Sequence, residues 1–307
     1  MRIIINTILF FFISSLDLFA QTVVNNDYVQ VLGIIQDAGF PHIGCQRDCC
    51  NSDITQEYYV SSLGLIDKKN QKRYLFDATP DLSKQIRELE VFSKNKKIID
   101  GIFLTHAHMG HYSGLMYLGR EALGAKNIDV YVMERMNNYL KNNGPWSQLV
   151  ELNNILLNKI YNYKPIDISK NIKVIPFTVP HRDEFSETVG YKIIGKSKSI
   201  LFIPDIDKWN QWEKSIINEV KLVDFALIDG TFYNGTELDR DMSKIPHPSV
   251  EETIELFLNQ PASERNKIYF IHINHTNPIL TDKNNILKNV ISLGFNIAKR
   301  GMKFYLD

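Results

Sequence analysis

The sequence predicts an α/β protein in which two mixed β-sheets pack face to face with helices on the outer faces. Three observations lead there. Short runs rich in β-branched and aromatic residues, a composition that suits a pleated, half-buried surface, alternate with stretches whose apolar residues recur at helical spacing. The same alternation fills both halves of the 307-residue chain. No Pro- or Ser-rich linker, low-complexity stretch or short-period repeat divides it. Residues 21–307 therefore read as one domain, and a hydrophobic fraction of 44% is ample for its core.

Residues 1–20, MRIIINTILFFFISSLDLFA, have the build of a signal peptide. Arg2 gives the positive start, Ile3 to Leu16 the apolar middle, and Ala20 a cleavage point before Gln21. The apolar run is shorter than the roughly 20 residues a membrane span needs. A periplasmic or secreted protein with no stable membrane span is expected. Strands are expected over 28–35, 58–67 and 73–78, then a helix over 81–92, where Leu82, Ile86 and Leu89 share a face. Strand 98–105, helix 113–123 and strand 128–133 follow. An Asn-rich, less regular region then runs to about residue 170; within it, 142–154 reads as a surface connection rather than a lid. The second half predicts strands over 171–179, 188–195 and 199–204, a helix over 207–220, a strand over 223–229 and a polar loop over 230–248. A helix starts near Val250, with Ser249 and Glu252 in a capping-box pattern. Strand 267–274, a helix near 282–293 and short end strands close the chain.

Charge narrows the partners. The 35 basic and 35 acidic residues cancel, and no block of like charge stands out, so no nucleic-acid partner is expected. A small-molecule substrate fits better. The three cysteines, Cys45, Cys49 and Cys50, crowd into GCQRDCC, too few and too close for a disulfide framework. They leave open one local bridge, free thiols, or a structural Zn2+ site whose fourth ligand is His42 or Asp48.

The histidines and acids carry the chemistry. His106, His108 and His111 stand within six positions after an apolar strand, in FLTHAHMGHYSGL. His181, His272 and His275 follow other strands, while Asp77, Asp205 and Asp229 end RYLFD, ILFIPD and FALID. Strands that each terminate in His or Asp aim ligands from distant segments into one cleft. Clustered imidazoles gain most when they share a metal in the neutral form. His106, His108 and His181 make a three-imidazole site with an open position, which suits catalytic Zn2+. His111, Asp205 and His272 make a second site, with Asp205 able to bridge.

At these residues the sequence resembles the metallo-β-lactamase superfamily, whose signature H-x-H-x-D-H is followed by later His, Asp and His ligands. Here that pattern falls on His106, His108, His111, His181, Asp205 and His272. The resemblance runs from about residue 28 to the C-terminus and implies an αββα sandwich with the metal cleft at its edge; Asp77 matches the acid that braces the ligand loop. Within the superfamily, VLGIIQDAGFPHIGC, DATPDLSKQI, FIPDIDKW, DGTFY, IPHPSVEET and HINHTNPIL resemble coenzyme PQQ synthesis protein B-like proteins. The cysteine cluster falls where those proteins carry a zinc knot, although CxxxCC is not their spacing, and His275 stands where they carry an amide.

One departure is larger. Gly110 occupies the position of the motif acid. Either the second metal binds weakly, or His247, His275, Asp207 or Asp229 substitutes, or the enzyme works with one metal; a turn needing positive φ is another reason for a glycine there. The expected function is an exported metal-dependent hydrolase, in which a metal-activated water attacks an ester, lactone, amide or phosphodiester bond and Asp205, Asp207 and His247 take part in catalysis. Its cofactor is one or two Zn2+ in the cleft, with iron or manganese as alternatives. An iron-dependent oxidoreductase acting on a tyrosine-containing substrate, implied by the second resemblance, and a binding module without turnover are the other readings.

Overall fold

The computed structural model describes residues 26–51, 57–90, 97–281 and 285–307. The expected signal peptide, at 1–20, lies outside them. Among the described residues, no helix is long and apolar enough to cross a membrane.

Two seven-stranded sheets make up the frame. The first is built from β1 (Tyr28–Gly33), β2 (Ser62–Asp67), β3 (Lys72–Phe76), β4 (Gly101–Phe103), β5 (Ile128–Val132) and β6 (Ile155–Lys159). The second is built from β7 (Ile166–Asp167), β8 (Lys173–Thr178), β9 (Val189–Ile194), β10 (Ser199–Ile203), β11 (Phe225–Asp229), β12 (Ile268–Ile271) and β13 (Asn296–Ile297). The last strand, β14 (Lys303–Tyr305), returns to the first sheet and pairs with β1. Each sheet begins with antiparallel neighbours and ends with parallel ones, β3 to β6 in the first and β10 to β13 in the second.

Parallel neighbours need crossovers, and helices supply them. They are α1 (Asp48–Asn51), α2 (Leu82–Glu90), α3 (Met109–Tyr112), α4 (Glu134–Asn142), α5 (Trp146–Glu151), α6 (Ile216–Lys221), α7 (Val250–Phe257), α8 (Ala262–Arg265) and α9 (Ile286–Ser292), of which α1 alone lies outside the parallel regions. Leu82, Ile86 and Leu89 of α2 and Met136 and Leu140 of α4 share a buried cluster with Leu75, Ile102 and Val130 of the first sheet. Val220, Ile254, Phe257 and Val290 cover the second sheet. With both faces covered, strands such as SILFI and FALID read as nearly continuous apolar runs. Between the sheets, Phe76 and Phe103 meet Tyr191 and Phe202 with ring centroids 5.2–6.1 Å apart across the interface. Burying one such ring contributes about 1.5–3 kcal/mol. The Tyr191 hydroxyl also donates to the Leu104 carbonyl, tying the second sheet to the base of the histidine loop.

The αββα sandwich is as expected; several elements differ. The helix expected over 113–123 begins earlier as α3 and continues as a 3-10 turn, Ser113–Leu118. Gly114 sits against the chain after β3, where a Cβ would lie 2.0 Å from the Thr79 carbonyl, and its N–H donates to Ala78. The Asn-rich region holds α4, α5 and β6. Within 142–154, α5 forms a short surface helix anchored by buried Leu149 and by Trp146 against Tyr112 and Tyr139. The helix expected over 207–220 splits into a 3-10 turn, Trp209–Gln211, and α6. At α7 the capping box forms as read: Ser249 accepts from the Glu252 N–H, and the Glu252 carboxylate accepts from the Ser249 N–H.

Candidate metal centre

The strands deliver their polar ends to one edge of the sandwich. After β3 comes Asp77, after β4 the histidine loop, after β8 His181, after β10 Asp205, and after β12 His272, while β11 ends on Asp229. In open α/β sheets this carboxyl edge is where ligands bind. Here the two sheets also meet. Ile35 bridges to Val60, just before β2 of the first sheet, and to Ile273, just after β12 of the second, and the Gln36 N–H donates to the Ile273 carbonyl at 3.0 Å.

Asp205 is the centre. Its Oδ1 lies 3.1 Å from His181 Nε2 and 3.2 Å from His247 Nδ1. Its Oδ2 lies 3.4 Å from His106 Nε2, 3.8 Å from His272 Nε2 and 3.9 Å from His111 Nε2. His108 Nδ1 is 2.8 Å from His106 Nε2. Three overlapping ligand sets result: His106, His108, His181 and Asp205; Asp37, His111 and His272; and Asp205, His247 and His272.

Behind the cleft, the remaining atoms are braced. Asp77 accepts from the Thr105 N–H at 2.7 Å and pairs with His111 Nδ1 at 2.8 Å. Thr105 Oγ1 bonds His106 Nδ1 at 3.0 Å. Asp207 pairs with His181 Nδ1 at 3.2 Å. Thr231 Oγ1 donates to Asp229 at 2.7 Å, is 2.9 Å from His272 Nδ1, and so orients that ring. This is the carboxylate–histidine bracing that fixes ligand tautomers in metal sites. Asp77 and His272 both adopt left-handed backbone, at φ 70° and 64°.

The front atoms have no such partners. Asp37 Oδ1, His111 Nε2, His181 Nε2, Asp205 Oδ1 and His272 Nε2 are buried without a hydrogen bond. Stranding a buried polar atom costs about 1–3 kcal/mol; five such atoms facing one space form a site that a cation would satisfy. The donor set, imidazoles plus two carboxylates, fits zinc, iron or manganese.

Charge follows the geometry. Burial and the neighbouring His111 push His106 well below the ordinary histidine range, and burial also lowers His108. Burial opposes charge at His181 too, but Asp205 and Asp207 outweigh it and raise that group to about 10. Asp77 and Asp37 likewise outweigh burial and raise His111. Burial would lift the carboxyls of Asp205 and Asp37; the imidazoles facing them hold both well below the usual range.

All six expected cleft ligands converge. Asp207, expected among the catalytic groups, stands behind His181 as its brace. Of the groups expected to substitute for the motif acid, Asp229 pairs with His247 at 2.9 Å and accepts from Thr231 instead, and His275 is elsewhere. The sequence reading missed Asp37, Thr105 and Thr231. Asp37 carried a usable signal: in VLGIIQDAG it follows a strand just as Asp77 and Asp205 do.

A second cluster lies beside the cleft. Cys45, Cys49 and Cys50 are free and half-buried, and their sulfurs converge with a nitrogen of His275. The fourth member is thus His275, in place of the expected His42 or Asp48. The His42 ring lies against His275 with centroids 4.1 Å apart, and its Nδ1 bonds the Ile43 carbonyl. Burial, His42 and Arg47 lower His275 to about 4, leaving a neutral imidazole.

An αββα sandwich with a His- and Asp-lined cleft at its edge defines the class of metallo-β-lactamase folds. The chain belongs to that superfamily: residues 72–273 match the family model described as Beta-lactamase superfamily domain. It is 23% identical to coenzyme PQQ synthesis protein B of Methylococcus capsulatus, across 91% of this chain and 99% of that protein. The zinc-bound PqqB crystal structure from Methylobacterium extorquens superposes with a TM-score of 0.75 at 19% identity, covering 90% of this chain and 99% of that one. A diphosphatase of the PhnP family superposes with a TM-score of 0.64 at 23% identity, covering 91% and 97%.

Proposed function

We propose that the protein is an exported metal-dependent hydrolase whose substrate is an anionic ester, a phosphodiester foremost. The observation that carries this reading is the ring of stranded ligand atoms on both sides of Asp205. His106, His108, His181 and Asp205 would hold one ion, and His111, His272 and Asp205 a second. Ions held there would supply Lewis acidity and make a water more acidic.

The chain's own groups do the rest. Asp205 stands between the two ligand sets, with Oδ1 3.1 Å from His181 and Oδ2 3.4 Å from His106, 3.8 Å from His272 and 3.9 Å from His111. His247 lines the adjoining cavity, and its Nδ1 is held by Asp229 and Asp205. In hydrolysis the water oxygen forms the new bond as the ester bond breaks, the leaving alkoxide takes a proton from His247, and the proton shed by the water replaces it on His247. That cavity, about 430 Å³, has Arg182 and Arg240 on its wall. Among the described residues neither guanidinium has a carboxylate within 4.0 Å, whereas the one acid there, Asp239, is held by Arg47 at 2.6 Å. Two unpaired cations favour an anionic substrate. Export rests on the character of residues 1–20.

Protein purified without added metal, analysed for metal and assayed with bis(p-nitrophenyl) phosphate, a lactone and a β-lactam, tests the reading. Two ions beyond any held by the cysteines, with phosphodiester turnover abolished by a chelator and restored by metal, is the expected result. The length shared with PQQ synthesis proteins favours a second reading, an iron-dependent oxidoreductase acting on a tyrosine-containing substrate; iron with oxygen uptake would select it. An empty cleft would select a binding module without turnover.

A further inference from the structure

Gly110 poses the sharpest question in the chain, and the structure answers it with Asp37. Gly110 is the second residue of α3, and its φ lies outside the left-handed region, so no turn demands a glycine. Space demands it. A Cβ at 110 would lie 2.1 Å from Asp37 Oδ1, 2.6 Å from Asp37 Cα and 2.8 Å from Asp37 Cγ, far inside contact distance. The carboxylate of Asp37 thus begins where a side chain from position 110 would have to pass.

Asp37 is also held there by design of the backbone. Gln36 donates to Ile273, Ile273 donates to Ile34, and Gly39 donates back to Gln36, closing a turn around Asp37. Its Oδ1 stands 3.1 Å from His111 Nε2 and 3.6 Å from His272 Nε2, yet it forms no hydrogen bond with either. One oxygen and two nitrogens, buried and within 4.8 Å of one another, form a set that could hold a metal ion.

We propose that Asp37 supplies the second metal with an anionic ligand beside the shared Asp205, replacing from the β1–β2 loop the acid that the signature takes from position 110. This rests on the two-ion reading of the cleft but not on the reaction class. The ligand is relocated, and Gly110 is the vacancy that admits it.

The test is a ligand swap read by Co2+ titration of metal-free protein. Thiolate-to-cobalt charge transfer identifies ions held by the cysteines, so cleft ions are counted separately. Wild type is expected to bind two cleft ions. Asp37→Ala should keep the first and weaken the second by about 100-fold or more, above the 10–100-fold typical of residues that only brace a ligand. Asp37→Gly with Gly110→Asp should recover most of that loss, while Gly110→Asp alone should lose the second ion or fail to fold. Unaltered second-ion affinity in Asp37→Ala, or a wild type with fewer than two cleft ions, overturns the proposal. If the double variant does not fold, Asp37→Asn decides in its place: the same shape without charge should also loosen the second ion, and unchanged binding overturns the proposal. A wild type that binds two ions and hydrolyses nothing would sink the hydrolase reading alone.

Discussion

The cleft and the cysteine cluster draw on the same two loops. Asp37 and the cysteines lie between β1 and β2, and His272 and His275 both follow β12. Their physics differs. His106, His111, His181, Asp205 and His272 are at most 6% exposed, and each of those imidazoles has its far nitrogen tied to a carboxylate or hydroxyl. The cysteines are half-buried, and among the described residues their sulfurs accept one hydrogen bond from the His42 N–H and make a 3.9 Å contact between Cys49 and Cys50. A cleft shaped by the fold is formed before any ion arrives; a loop whose ligands have little else to hold them would take much of its order from an ion it bound.

Removing the shared carboxylate should break this contrast most severely. Asp205→Ala is expected to empty the cleft and lower phosphodiester turnover by about 1000-fold or more, well beyond a bracing residue, while cysteine-bound metal stays at the wild-type level by metal analysis. Asp207→Asn, which only loosens His181, should cost about 10–100-fold in first-ion affinity. Acidity should act next. Without metal, His181 (about 10) and His111 (raised) carry protons at neutral pH, and a ligand nitrogen must shed its proton. Cleft affinity should therefore rise with pH, by up to about tenfold per unit for each proton released, and flatten for His181 near its own value; His106 and His108, already neutral, add nothing. Calorimetry in buffers of different ionisation enthalpy would count the protons, and an affinity flat from pH 6 to 9 would refute the coupling. Cys49→Ser should remove the cysteine-bound ion and lower Tm by about 2–4 °C per kcal/mol lost, with both cleft ions retained. The smallest effect belongs to Arg240→Ala. An exposed charge contact of about 0.2–1 kcal/mol implies a KM raised roughly one-and-a-half- to fivefold at unchanged kcat for a phosphodiester, and no change for a neutral lactone.

The contrast also explains what the residues alone revealed. Strands β10 and β11 were legible because burial on both faces forces continuous apolar runs, and the cleft ligands because they stand at strand ends. The histidine loop is contiguous, so its pattern survives without a third dimension. Helix α4 was hidden because its buried face includes Asn137 beside Met136 and Leu140, which blurs the apolar period. Asp37 and His275 depend on a bridge between Ile35 and Ile273, residues from opposite ends of the chain. No local pattern encodes that approach; cross-sheet packing does. The same packing set His275 rather than His42 among the sulfurs.

The left-handed backbone at His272 restricts which residues can take the place of this imidazole. Most replacements at that codon would strain the chain before the missing imidazole mattered, and β-branched ones most of all. Glycine, asparagine and aspartate tolerate the conformation. Well-folded descendants that have lost this imidazole should carry one of those three residues there, a footprint readable from their genes.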